Sequence, residues 1–178
     1  MSAAIRVNRA PVLTLWAAVV AERLGYEWGE ALTLGRAVAG LNAYSKGVHL
    51  GLFQPTPEAE RERRNVALTG ETLQIDLLHR AVPAVQTPQG VRALSKGEPQ
   101  KPDGVLRYLE RAFGDRFAEV RAAMEAAAAL LEPEELNRVG FRMYEAFRPE
   151  VPAGVEGWGA KGALDVARIQ QAAATAAR

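Results

Sequence analysis

The residues best suited to chemistry lie near the C-terminal end of the sequence, where a glycine-rich run carries a tryptophan and a lysine. Residues 157–162 read GWGAKG and fit the spacing G-x-G-x-x-G. A dinucleotide fingerprint needs a strand before this spacing, and Pro152 and Gly154 interrupt any such strand. A glycine-rich turn that starts a helix can instead hold an anion on its backbone amides. We expect either a structural loop with its tryptophan docked in the core, or a ligand-binding site formed by Arg148, Trp158 and Lys161.

Three Lys-Gly pairs occur in the chain, at Lys46, Lys96 and Lys161. A lysine beside glycine amides can bind phosphate. A lysine in the last turn of a helix, followed by glycine, is also an ordinary way to end a helix. The second explanation accounts for Lys46 and Lys96. Lys161 precedes a predicted helix rather than ending one, and it is therefore the suggestive member of the three.

A second candidate site lies in the N-terminal helix pair. Ala21-x-x-x-Gly25 has the spacing of a DNA-binding helix-turn-helix, with glycine at the turn. The next helix begins with Glu27 and Glu30, whose carboxylates would face phosphate, and no arginine or asparagine stands there to meet a base edge. A packed helix pair without DNA contact is the alternative. If nucleic acid binds, the expected residues are Arg36, Lys46, His49, Arg61 and Arg64.

Residues for acid–base, nucleophilic or metal chemistry are sparse. The chain has no cysteine, and its two histidines are His49 and His79, both in predicted loops. Ser45 lies near His49 but has no nucleophile elbow. The carboxylates of Glu132, Glu134 and Glu135 belong to the first turn of a predicted helix, which the helix dipole favours. We therefore assign no catalytic residue, metal ligand or cofactor.

The overall charge is nearly balanced, with 22 basic and 21 acidic residues among 178 and a net charge of +1. Such a balance creates no global basic field that would draw the chain to nucleic acid. The segments 9–25 and 147–162 look bacterial in type. Their resemblance extends to no family with an established activity.

An apolar stretch at residues 11–24 organises the predicted fold. No charged residue lies between Arg9 and Glu22, so the helix should be buried on every side, with Trp16 and Val19 in the core. Arg6, Arg9 and the apolar run also resemble a signal peptide, with Ala21 near the cleavage position. The run is too short to cross a bilayer. We expect a core helix of a cytoplasmic protein that does not enter the membrane.

The remaining helices follow from apolar spacing and from glycine or proline at their ends. Met1–Val7 is expected to be a loose arm before an N-cap at Asn8. Gly35 and Gly40 should let a neighbour approach the second helix closely. The predicted helices after the first span residues 29–45, 57–68, 103–113, 117–131, 133–148 and 163–176, with a loop at 48–57.

Strand character is confined to one segment. Leu73, Ile75 and Leu77 alternate with polar residues, and a second short strand follows at 82–85. These predict a small β-hairpin near 72–86, in which Pro83 restricts its strand to an edge or an irregular position. Thr87-Pro88 is typical of the start of a short helix. The polar residues 95–102 are the best candidate for an internal boundary.

The sequence thus predicts a mainly α protein, a single domain over 1–178, in the form of a helical bundle organised on a buried N-terminal helix. The leading functional hypothesis is a non-enzymatic binding or interaction module with nucleic acid or another protein as partner. The alternative is a small enzyme or anion-binding protein that uses the C-terminal glycine-rich loop. A homo-oligomer is compatible with both hypotheses.

Overall fold

The computed structural model describes residues 4–49, 72–150 and 161–176, with the side chains of residues 44–49 outside that description. The predicted loop at 48–57 and helix at 57–68 fall almost wholly outside it. Helices predominate, with two small antiparallel sheets beside them. The helices are α1 (Arg9–Arg23), α2 (Trp28–His49), α3 (Pro102–Phe113), α4 (Phe117–Ala128), α5 (Pro133–Phe147) and α6 (Val166–Ala176).

The strands form two separate sheets. One sheet has two strands, which pair the beginning of the described chain with its end. The other has four strands in sequential order. The strands are β1 (Ile5–Asn8), β2 (Thr72–Leu77), β3 (Arg80–Thr87), β4 (Gly90–Ser95), β5 (Glu98–Pro99) and β6 (Lys161–Leu164).

Helix α1 forms the centre of the core, as predicted. Trp16 is 0% exposed and Val19 is 2% exposed. Asn8 occupies the N-cap position, although its side chain makes no capping hydrogen bond. Gly25 follows the helix with φ of 109°, the left-handed conformation that glycine adopts without strain. The buried stretch of α1 runs from Pro11 to Ala21 without interruption.

The β2–β3 hairpin docks its tip on α5. Leu78 and His79 form the turn with φ of 50° and 66°, values that cost free energy in residues other than glycine. The Leu78 side chain is 1% exposed, and its amide donates to Asn137 Oδ1 at 2.7 Å. Burial of the leucine and this hydrogen bond offset the unfavourable backbone conformation.

Helices α1 and α2 pack closely at Gly35. A Cβ at this position would lie 2.8 Å from the Ala18 nitrogen, and it would also clash with the Thr14 carbonyl oxygen. Gly40 was expected to allow a similar approach, but a Cβ there would have nothing within 4 Å. That expectation is wrong, and Gly40 faces open space.

The second sheet corrects several predictions. Thr87-Pro88 starts no helix, because the chain turns at Gly90 (φ 121°) into strand β4. Strand β3 lies between β2 and β4 instead of at an edge. Its pairing with β4 stops at Ala84, one residue from Pro83. The missing N–H of proline explains where the two strands part.

Four further predictions are wrong. Residues 5–7 are not a loose arm but belong to β1, which pairs with β6 in the register Ile5↔Leu164 to Asn8↔Lys161. The last helix begins at Val166 because β6 occupies 161–164. Lys46-Gly47 ends no helix, since α2 continues to His49. Lys96 ends no helix either, because it lies in the turn between β4 and β5.

The other helix ends follow the predictions closely. Gly114 stops α3 with φ of 59°, Pro133 starts α5, and α5 ends at Phe147 before Pro149. The polar residues 95–102 form the β4–β5 turn, β5 and the approach to α3. A division of the chain at this segment stays a prediction.

Gly35→Ala should lower the free energy of unfolding by about 1–3 kcal/mol or more, because the methyl group overpacks the α1–α2 contact. Gly40→Ala is the matched control on the same helix. It should raise the free energy of unfolding by about 0.5–1 kcal/mol, since alanine favours helix and meets no neighbour. Urea unfolding of both variants checks this. Equal destabilisation of the two would contradict the packing described here.

Candidate functional site

The structure describes only some of the residues expected to form a site. Arg36 lies on α2, Arg148 directly follows α5, and Lys161 begins β6. The side chains of Lys46 and His49 lie outside the described residues, and so do Arg61, Arg64 and Trp158 entirely. Lys161 was expected in a turn at a helix N-terminus, and this is wrong because it lies on a strand.

The N-terminal part of α2 is packed against the rest of the protein. Every residue from Ala31 to Ala39 is buried except Arg36. Glu30 accepts hydrogen bonds from the amides of Glu27 and Val91 at 2.9 and 2.8 Å. The Thr33 hydroxyl accepts one from the amide of Ala93 at 3.1 Å. This stretch therefore faces β4 and the core, and a DNA-reading face could come only from the later part of α2.

Arg36 opens instead onto a groove between α2 and α3, which we call the α2–α3 groove. Its volume is about 640 Å³, within the range of about 300–1,000 Å³ that is usual for ligand pockets. Apolar residues of both helices and of β3 and β4 form much of its wall. The lining residues are Arg36, Ala37, Gly40, Leu41, Pro83, Leu94, Ser95, Gln100, Lys101, Gly104, Val105 and Tyr108.

Two local features keep the groove open. Pro83 and Leu94 line it where β3 and β4 stop pairing, so the split in the sheet forms part of the wall. Gly40 and Gly104 both line the groove, and no described atom lies within 4 Å of a Cβ built on either. Packing therefore requires glycine at neither position, although each glycine lowers helix stability. A side chain at either position would narrow the groove.

The charged group best placed in the groove is the Arg36 guanidinium. Its central carbon lies 4.7 Å from the centre of the Tyr108 ring, a cation–π geometry that holds the planar group in one orientation. Burial raises the pKa of Tyr108, and the nearby Arg36 opposes this rise. Among the described residues, no carboxylate forms a salt bridge with Arg36. Its N–H donors remain available to a ligand.

Lys101 adds a second cation to the groove, and the described lining residues include no aspartate, glutamate or histidine. An oriented guanidinium can bind a carboxylate or phosphate in bidentate fashion. The apolar wall suits a ligand body that prefers to leave water. The groove is therefore equipped to bind an anion that carries an apolar part.

A smaller groove of about 490 Å³ lies between α5 and α6. Two arginines line it, Arg142 and Arg168. The Arg168 guanidinium is already bound to the Glu150 carboxylate, and no aromatic ring is among the described lining residues. It is a weaker candidate than the α2–α3 groove because it has less cationic charge to offer a ligand.

Arg148 and Lys161 belong to a different place, near the start of α1. Arg9 Nε donates to the Pro149 carbonyl oxygen at 3.0 Å, directly after Arg148. Lys161 pairs with Asn8 across the β1–β6 ladder, directly before Arg9. The Tyr144 hydroxyl donates to the Arg9 carbonyl oxygen at 3.4 Å. Trp158 lies outside the described residues, and the structure places Arg148 near Arg9 and Lys161 opposite Asn8.

Several of these residues were not singled out from sequence. Lys101, Gly104 and Tyr108 lie far from Arg36 along the chain, and only the packing of α3 on α2 joins them. A weak signal existed in Gly104, a glycine inside a predicted helix. Arg9 was considered only as part of a basic leader, because Arg148 approaches it through tertiary packing and Lys161 lies opposite Asn8 through β1–β6 pairing.

Comparisons with protein-family models, curated proteins and solved structures find no match for this chain. No helix among the described residues is long and apolar enough to span a membrane. The same part of the chain contains no group of three or more histidine and carboxylate side chains arranged to hold a metal ion. Function must therefore be inferred from the sites themselves.

Tyr144 allows a pH test of the packing beside Arg9. Burial raises the pKa of Tyr144 to about 12, above its ordinary value of about 10. The folded state then resists ionisation, so its stability is intact below pH 10 and falls as pH rises from about 10 to 12. The loss from this residue should be at most about 3 kcal/mol.

Tyr144→Phe should therefore lose less stability than the wild-type protein between about pH 9 and 11.5. Urea unfolding at the two pH values measures the difference. Parallel losses in both proteins would show that Tyr144 ionises as readily in the folded state as in the unfolded state.

Proposed function

We propose that this chain is a non-enzymatic binding protein whose ligand site is the α2–α3 groove. The ligand carries a carboxylate or phosphate on an apolar or planar body. Arg36 binds the anionic group, Lys101 supplies a second positive charge, and the apolar wall receives the body. The observation that carries the proposal is the Arg36 guanidinium, stacked on Tyr108 without a carboxylate partner among the described residues.

Two physical arguments support a ligand at this place. A guanidinium fixed on an aromatic ring loses little further conformational entropy when it binds, so it is prepared for recognition. Gly40 and Gly104 leave the space above both helices open. Alanine would fit at both positions and would stabilise the helices. Glycine at such positions is expected where a ligand approaches the backbone closely.

Binding is favoured over catalysis because the described lining offers no general base. A tyrosine is ordinarily protonated near neutral pH, where arginine and lysine are cationic. Such a set can stabilise negative charge, but it contains no group poised to take up a proton at that pH. An enzyme would need further groups from outside the described residues.

Nucleic acid is the second candidate ligand, and the stacked Arg36–Tyr108 pair favours it as well. Single-stranded nucleic acid is bound by cations that contact phosphates and by aromatic rings that stack on bases. Lys46, His49, Arg61 and Arg64 are the other residues expected to contact nucleic acid, and their side chains lie outside the described part of the chain. The burial of α2 up to Ala39 counts against insertion of this stretch into a duplex groove.

The ligand proposal is tested with two probes, 2-naphthoate and the neutral 2-naphthamide. Their binding is monitored by two-dimensional NMR of the backbone amide resonances of the protein. The carboxylate should shift resonances of α2 and α3 in a saturable way, and the amide should bind much more weakly. Arg36→Gln should weaken 2-naphthoate binding on the order of tenfold, since hydrogen bonds to charged groups are lost.

Arg107→Gln is the matched control, because Arg107 neighbours Tyr108 on α3 but does not line the groove. It should leave the affinity unchanged. Gly40→Ala should weaken binding while it stabilises the fold, which separates loss of binding from loss of structure. Equal binding of acid and amide, or an equal effect of both arginine variants, would remove Arg36 from the proposal.

The nucleic-acid candidate predicts binding of single-stranded or duplex DNA at low salt that weakens steeply as salt rises. Lys46→Glu combined with Arg64→Glu should lower the salt slope by about 1 for each phosphate contact removed. Fluorescence anisotropy measures both effects. An absence of binding at protein concentrations on the order of tens of micromolar would exclude this candidate.

A further inference from the structure

A second cationic site is formed by Arg9, Arg148 and Lys161, which we call the α1-start cluster. The hydrogen bond from Arg9 Nε to the Pro149 carbonyl oxygen at 3.0 Å brings the Arg9 guanidinium to the chain beside Arg148. The pairing of Asn8 with Lys161 places the lysine next to the residue before Arg9. Three segments that are far apart in sequence therefore bring one cation each to the start of α1.

No salt bridge to a described carboxylate neutralises the cluster. None of its three cations forms a salt bridge within the described part of the chain. Glu150, two residues after Arg148, binds Arg168 instead. Burial lowers the pKa of Arg9, and the nearby positive charge of Arg148 lowers it further. Like charges held this close are unfavourable unless an anion joins them.

The surroundings of the α1-start cluster also favour the binding of an anion. The first turn of α1 has no acidic residue, and the Asn8 side chain does not cap the helix. The positive end of the α1 dipole is therefore not offset by a side chain from this turn. Tyr144 is occupied by its hydrogen bond to the Arg9 carbonyl oxygen, and with its pKa raised to about 12 it stays neutral.

We propose that the α1-start cluster binds a phosphate group, as a phosphate monoester or as free phosphate, at a site separate from the α2–α3 groove. A dianion matches a site with two neighbouring guanidinium groups and a lysine opposite Asn8 better than a carboxylate does. The Nε–H of Arg9 donates to the Pro149 carbonyl oxygen, so the terminal N–H groups of the Arg9 guanidinium are the donors proposed to bind the ligand. Arg148 adds a second guanidinium and Lys161 an ammonium group, so several phosphate oxygens gain charge-assisted hydrogen bonds.

Inorganic phosphate is the first probe, compared with sulfate, acetate and chloride at constant ionic strength and a pH near 7.5, where phosphate is mainly dianionic. Thermal unfolding should shift upward with phosphate in a saturable way, because a ligand that binds only the folded state stabilises it. Sulfate should have a smaller effect, and acetate should match chloride. A response equal for all four anions at constant ionic strength would overturn the proposal.

Arg148→Gln should raise the melting temperature in the absence of phosphate, because it removes the repulsion on Arg9. It should weaken phosphate binding on the order of tenfold or more. Lys161→Gln, at an exposed strand position, should also weaken it, and Arg148→Lys should restore part of the binding. Arg111→Gln is the matched control, because Arg111 is exposed on α3 and is among the described lining residues of neither groove.

A phosphate response that is unchanged in Arg148→Gln and Lys161→Gln would place the phosphate elsewhere and overturn the assignment. Phenyl phosphate, used as a second probe, distinguishes a monoester site from one that accepts only the free ion. Glu156 lies outside the described residues and is a carboxylate that lies between Arg148 and Lys161 in the sequence. If wild-type protein ignores phosphate but Glu156→Gln binds it, the cluster is neutralised internally and holds no ligand.

Discussion

The rest of the structure depends on one buried hydrogen bond, which the Trp16 indole N–H donates to the Gly140 carbonyl oxygen at 2.8 Å. Trp16 belongs to the central helix α1, Gly140 to α5, and the tip of the β2–β3 hairpin packs on the same point. A Cβ at Gly140 would lie 2.6 Å from Leu78 Cδ2. The indole also meets the Phe147 ring edge-on at 5.3 Å. Without its carbonyl partner, the buried indole N–H would cost about 1–3 kcal/mol.

The α2–α3 groove follows from constraints on α2 that act away from the groove itself. Glu30 and Thr33 bind the amides of Val91 and Ala93, which fixes β4 against the beginning of α2. Close contact at Gly35 fixes the opposite side of the helix against α1. Arg36, between these contacts, is left as the residue that reaches the surface. Pro83 then ends the β3–β4 pairing beside it, so the sheet cannot close over the groove.

Local signals predicted the helical part of this fold well. The uninterrupted apolar run specified α1, and Gly25, Gly114 and Pro133 marked helix ends because their backbone preferences act over a few residues. The β1–β6 pair was missed because Ile5 and Leu164 are far apart in sequence, and each strand is too short for a periodic pattern. The same reason limits how much of the candidate sites the sequence could predict. Arg36, Arg148 and Lys161 could be selected individually, but their neighbours Tyr108 and Arg9 depend on tertiary packing.

The net charge of +1 creates no global basic field that would draw the chain to nucleic acid, yet charge is not evenly available in the folded chain. Several carboxylates are used within helices or at their ends: Glu119 binds Arg116, Glu125 binds Arg121, and Glu135 binds Arg138. Exposed pairs of this kind add little stability, and each neutralises one positive and one negative charge. Arg36 and the α1-start cluster form no such pair among the described residues. Local pairing, more than the total charge, therefore determines where an anion is attracted.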